Sequence, residues 1–134
     1  MARMSLANFF PIGFVPIRNA EAARTFYEQT LGLTFQSDDQ FALVFRLGPD
    51  RGLMLRLVRM PEFAPAPYTI FGWEVPDITR AVDELTANGL IFARPGGMPL
   101  DERGIWTSPS GARVAWFHDP DGNTLSLSQH TGPA

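Results

Sequence analysis

Few side chains in this sequence are of a type that does chemistry on a bound molecule. His118 stands directly before Asp119-Pro120-Asp121-Gly122-Asn123, between the apolar run Trp116-Phe117 and the alternating run Thr124-Leu125-Ser126-Leu127. An imidazole titrating near neutrality can act as a general base, and beside a turn it can equally be a hydrogen-bonded structural residue. No Ser or Cys nucleophile pattern accompanies it, and Cys is absent, so a thiolate metal centre is excluded. The second histidine, His130, is followed by Thr131-Gly132-Pro133-Ala134 and is expected to belong to a mobile tail. Asp101 and Glu102 are adjacent acids in a turn-rich stretch and read as a solvated surface pair. Trp106 and Trp116 offer flat faces for a ligand ring or for core packing, and at least one is expected in the core. The Asp119 to Asn123 run itself reads as turn chemistry and not as a catalytic pair. Pro fixes φ, Gly accepts positive φ, and Asp and Asn bond nearby backbone groups.

These residues must be positioned by a single domain, residues 1–134, since a chain of 134 residues with 45% hydrophobic content can bury one core and not two. With 12 Gly and 12 Pro, many turns are expected. The net charge of −3 and the lack of a Lys/Arg run argue against a nucleic-acid partner. No run approaches membrane-spanning length, the start Met1 to Asn8 lacks the apolar core of a leader, and zero Cys permits a reducing compartment. A cytoplasmic protein without a membrane partner is the expectation.

The elements follow from periodicity. Phe9 to Ile17 reads as a strand, with Pro11 and Pro16 suited to an edge or an end. Asn19 is placed as a helix N-cap, Ala23, Phe26, Tyr27 and Leu31 form an apolar stripe, and Gly32 closes the helix. Strands are expected over 33–36, 41–47 and 53–58. A Pro-containing linker, 60–67, is expected to be extended. Beyond it, 68–75 reads as a strand, Asp77 as a second N-cap and Ile78, Ala81, Val82 and Leu85 as a second stripe ending before Gly89. Leu90 to Phe92 is expected to restart the sheet, followed by strands over 105–108, 112–117 and 124–127. Gly32-Leu33-Thr34-Phe35 overlies Gly89-Leu90-Ile91-Phe92, and Asn19 overlies Asp77 at nearly the same offset. Such internal similarity indicates a repeat. The chain therefore reads as an α+β fold of two βαβββ modules, about 9–59 and 68–130, forming a curved mixed sheet with helices outside and a concave cleft.

Phe26-Tyr27 followed by Leu31-Gly32-Leu33, together with Asp119-Pro120-Asp121-Gly122-Asn123 before alternating Leu and small polar residues, resembles the glyoxalase/bleomycin-resistance/dioxygenase superfamily, the vicinal oxygen chelate proteins. The resemblance spans Phe9 to Gln129 and implies two βαβββ modules around a cleft, with a homodimer as the usual assembly. In metal-dependent members four strands each supply one ligand. Carried over by their place relative to the motifs, those positions fall on Ile12, Arg56, Ile70 and Ser126, none of which suits a catalytic divalent ion. No metal and no other cofactor is expected. Strand parity then places Phe14, Met54, Gly72, Glu74 and Thr124 on the same face as these positions.

Phe14, Arg56, Glu74, Trp116, His118 and Ser126 are accordingly the candidate ligand-binding residues, with no catalytic or metal-binding residue assigned. Arg56 is read as an anchor for an anionic ligand, as a surface residue or as a partner of Glu74 across the cleft. The turn-rich segment 96–111 is expected to form a lid or part of a dimer contact. By resemblance to bleomycin-resistance members, the favoured function is sequestration of a small organic molecule. The alternatives are a lyase, isomerase or dioxygenase, or a domain that mainly associates with a protein partner.

Overall fold

The computed structural model describes residues 3–130. The first module begins with strand β1 (Ile12–Ile17) and helix α1 (Ala20–Thr25), and continues through strands β2 (Thr34–Asp38), β3 (Ala42–Leu47) and β4 (Leu53–Arg59). The second holds strand β5 (Phe71–Glu74), helix α2 (Ile78–Ala87) and strands β6 (Trp106–Thr107), β7 (Arg113–His118) and β8 (Thr124–Gln129). Each module folds its strands into one open four-stranded sheet, in the order β1-β4-β3-β2 and β5-β8-β7-β6. The first two strands of each order run parallel and the rest antiparallel. This is the α+β pair of βαβββ modules expected from the repeat.

The helix caps lie where the sequence placed them. The Asn19 side chain accepts from Ala22 N–H at 3.0 Å, and that of Asp77 from Arg80 N–H at 3.1 Å. The second helix has an additional partner that sequence reading missed, because Gln129 at the end of β8 accepts from the buried Ile78 N–H at 2.9 Å. The first helix does not run unbroken to Leu31. Its last turn, Phe26–Thr30, is a π turn in which Leu31 N–H donates to the Phe26 carbonyl. That single wider turn leaves Phe26 near Phe117 of the second sheet and Tyr27 near Phe45 of the first, with ring centroids 6.4 and 6.1 Å apart.

Strand parity decides which side chains enter the shared core. Val15, Ile17, Leu43, Phe45, Leu55 and Leu57 from the first sheet join Ala115, Phe117, Leu125 and Leu127 from the second in one core with Tyr27, Ile78 and Val82. The residues of opposite parity are left on the open faces. Pro16 is tolerated in β1 because that strand ends its sheet.

Two expectations need correction. Leu90 to Phe92 does not form a strand: Phe92 makes a single bridge to Phe117, and Ala93 N–H donates to the Trp116 carbonyl at 2.8 Å. Pro95, which has no N–H to donate, then leads the chain away, and β6 takes the place beside β7. Asp101 is not merely solvated either. Its Oδ1 accepts from Arg103 N–H and Ile105 N–H, both at 2.9 Å, which fixes the loop into β6.

The Asp119 to Asn123 turn binds the two modules together. Asp119 is buried, and Oδ1 accepts from the backbone N–H groups of Asp121 and Asn123 at 2.9 Å. Oδ2 accepts from Tyr27 Oη at 2.7 Å and from Asn123 Nδ2 at 2.8 Å, while Asn123 Nδ2 also donates to the Pro16 carbonyl at 2.7 Å. Burial, and then the neighbouring Asp119 carboxylate, push the Tyr27 hydroxyl above the ordinary tyrosine range, so it stays a donor. Gly122 adopts φ +89°, and a Cβ there would come within 3.3 Å of Pro65, so the linker packs closely against the turn. Asp119→Ala leaves four donors without their acceptor and is expected to lower stability by about 3 kcal/mol, whereas Tyr27→Phe removes one bond and should cost about 1 kcal/mol. Urea denaturation of the two variants beside the parent measures this directly; equal losses would show that Asp119 is not the hub.

Candidate functional site

β7 and β8 pair in a register that places Trp116 opposite Ser126 and His118 opposite Thr124. On the far side of β8, Gly72 of β5 lies opposite Ser126. A Cβ at Gly72 would come within 2.7 Å of the Ser126 carbonyl and 3.0 Å of its Oγ, so this row requires glycine. Ser126 is buried, and its Oγ accepts from Thr69 Oγ1 at 3.1 Å. The hydroxyl of Thr124 is likewise committed, donating to the Ala66 carbonyl at 3.1 Å. The open face of the second sheet thus has a floor of small, internally bonded side chains.

Over this floor lies a hollow of about 620 Å³. Trp116, His118 and Thr124 come from the sheet, Tyr68 and Thr69 from the end of the linker, and Arg94, Pro95 and Met98 from the loop that leaves the sheet after Ala93. Trp116 is steadied by Trp106, whose ring centroid lies 6.1 Å away. Neither of these two indoles joins the core; Trp73 does, stacked on Phe117 at 6.3 Å. The expectation of a core role for Trp106 or Trp116 is therefore corrected: their even parity puts both on the open face. His118 is exposed and its imidazole makes no hydrogen bond among the described residues, so it is not the bonded structural histidine that its place beside the turn suggests.

Of the six candidate residues, Trp116 and His118 line the hollow and Ser126 lies beneath it. The other three lie elsewhere. Phe14 is 63% exposed on the open face of the first sheet. Arg56, on the same sheet, donates through Nη2 to Asp39 Oδ2 at 2.7 Å, and that hydrogen bond holds the Asp39 carboxyl below its usual range. Beside it Arg59 grips Asp38 with two bonds of 2.8 Å, which lowers the Asp38 pKa to about 2. Glu74, at the end of β5, accepts the His130 backbone N–H at 2.6 Å and meets that imidazole with its other oxygen. Arg56 and Glu74 thus pair with Asp39 and His130, not with each other across a cleft. His130 is held, not loose; Thr131 to Ala134 lie outside the described residues.

Tyr68, Thr69, Arg94, Pro95 and Met98 were not found by reading the sequence. The exposed aromatic after Pro67 was a usable signal. Nothing local marked Arg94, which reaches the hollow only because Pro95 turns the chain. Within the 96–111 segment, Met98 walls the hollow.

A family model for the glyoxalase/bleomycin resistance protein/dioxygenase superfamily matches residues 12–127. The chain belongs to this superfamily. A member from Sphaerobacter thermophilus has a solved structure 25% identical in sequence, covering 90% of this chain and 96% of its own, with a TM-score of 0.69. A glyoxalase/bleomycin resistance protein/dioxygenase from Nocardioides is 20% identical, covers 100% and 90% and has a TM-score of 0.67. A glyoxalase/dioxygenase from Nostoc punctiforme is 22% identical, with coverage of 96% and 94% and a TM-score of 0.62. Among curated proteins none matches the chain significantly.

The metal that the superfamily resemblance implies does not fit this donor set. Among the described residues, no group of three His, Asp or Glu side chains is placed to hold an ion. At the four positions carried over from metal-dependent members, Ile12 is apolar, Arg56 is a cation bound to Asp39, Ile70 is apolar and Ser126 is bonded to Thr69. Imidazole and carboxylate donors are what such a site needs. Calorimetric addition of Ni, Zn, Mn and Fe(II) to chelator-treated protein is expected to show no stoichiometric tight binding. A one-to-one site in the micromolar range or tighter would overturn the mapping.

Proposed function

We propose that this protein binds a small organic molecule in the hollow on the second sheet, without a resident metal, and sequesters it. The observation that supports this best is the composition of the hollow. Aromatic and apolar walls from Trp116, Tyr68, Pro95 and Met98 surround a few polar groups, the make-up of a small-molecule pocket of ordinary size. The floor hydroxyls are already bonded, so specificity falls to His118 and Arg94. Among the described residues no helix is long and apolar enough to cross a membrane; with no Cys in the chain, we place the protein in the cytoplasm. A metal-free lyase or isomerase is the second reading, favoured by the exposed imidazole of His118 at the rim.

We also propose a homodimer. β1 ends its sheet, and Phe10, Ile12 and Phe14 form a row of equal parity along it that is 77%, 50% and 63% exposed. A contiguous apolar row of this kind is a surface for association. A second copy laid on it would bury that row.

Three measurements test these readings. Trp116→Ala should weaken binding of planar aromatic probes by about tenfold or more, with the melting temperature nearly unchanged, because Trp116 is a wall and not core. His118→Ala separates the alternatives, since lost turnover with retained binding would establish an enzyme and displace sequestration. For the assembly, sedimentation of Phe14→Asp should give a monomer where the parent gives a dimer; a parent that sediments as a monomer removes the dimer proposal.

A further inference from the structure

Arg94 is the one arginine lining the hollow, and its charge is not cancelled. Nη2 donates to the Asp101 carbonyl at 3.0 Å and Nη1 to the Glu102 carbonyl at 3.4 Å, both neutral backbone groups. The carboxylates nearest in sequence are engaged elsewhere. Asp101 is bonded to the Arg103 and Ile105 N–H groups and lies 3.8 Å from Arg113, and Glu102 lies 3.4 Å from Arg103. Arg56, on the first sheet's open face, is by contrast neutralised by Asp39 at 2.7 Å.

The rest of the lining agrees with this imbalance. The chain has 14 acids against 11 basic side chains, yet no Asp or Glu lines the hollow, and its titratable groups besides Tyr68 are Arg94 and His118. The hydroxyl protons of Thr69 and Thr124 are already donated to Ser126 and Ala66. One fixed cation, held by two backbone carbonyls, lines the same hollow as an indole braced by a second indole. A guanidinium pairs in a planar fork with a carboxylate, and an indole face stacks on a flat ring.

We propose that the hollow takes a singly charged aromatic carboxylate, with its ring against Trp116 and its carboxylate on Arg94. A single fixed counter-charge matches a monoanion better than a phosphate dianion. This inference rests on the hollow being the binding site, and the choice of probes keeps the two ideas separable.

The experiment is calorimetric titration with 2-naphthoate and its neutral counterpart 2-naphthamide, which share the ring and differ in charge. The parent protein should bind the acid about tenfold or more tightly than the amide, the scale of one charge-assisted hydrogen-bonded pair. Arg94→Gln should bring the acid down to the level of the amide while leaving the amide as it was. Arg94→Lys, which keeps the charge but not the fork, should restore part of the preference. Thermal melts of both variants, and the retained amide binding, guard against a loop that has merely loosened. Equal affinities for acid and amide in the parent, or an acid preference that survives Arg94→Gln, would overturn the inference and leave the hollow standing. Failure of both probes to bind the parent would overturn the hollow and this inference with it.

Discussion

The Asp119 carboxylate is the point on which both halves of the molecule depend. It accepts from two backbone N–H groups of its own turn, from Asn123 and from Tyr27, a residue 92 positions earlier. Four donors satisfy both oxygens of this buried group, and a buried polar group without such partners is costly. Asn123 extends the connection to the Pro16 carbonyl in β1. The turn that joins β7 to β8 therefore also holds the first module to the second. The π turn at Phe26–Thr30 follows from the same requirement, because it is the local backbone form from which Tyr27 reaches both Phe45 and Asp119.

The two modules share a fold and differ in what they do with their open faces. In the first, β2 follows the helix directly, and the turn after it carries Asp38 and Asp39, which take up Arg59 and Arg56. Along β1 that face is apolar, with Ile12 and Phe14 exposed. In the second module the chain leaves the sheet after Ala93, crosses the open face through Arg94, Pro95 and Met98, and returns as β6. The detour supplies a wall, a cation and a depth that the first module lacks. The two frames are alike, and the longer course from α2 to β6 in the second walls the hollow.

Much of the frame was legible in the residues themselves. The caps at Asn19 and Asp77, the turn glycines and the period-two burial of β4 and β7 depend on local backbone geometry, which neighbouring residues determine. The repeat and the α+β architecture followed from them. Reading failed where a local signal met a competing one. Leu90 to Phe92 has strand composition, but Pro95 ends the pairing after one bridge, and the apolar stripe of the first helix concealed its π turn.

The sequence by itself determined the two βαβββ modules and the structural nature of the Asp119 to Asn123 turn, since each is a matter of residue type at a stated position. Tertiary structure alone decided the partners. Parity placed Arg56 and Glu74 on open faces, yet only packing showed Arg56 bound to Asp39, Glu74 to His130, and Trp116 and His118 beside a hollow with Arg94. A guanidinium or a carboxylate joins whichever opposite group the folded chain brings within reach. That distance is set by loops and by the seating of one module on the other, which no local pattern records.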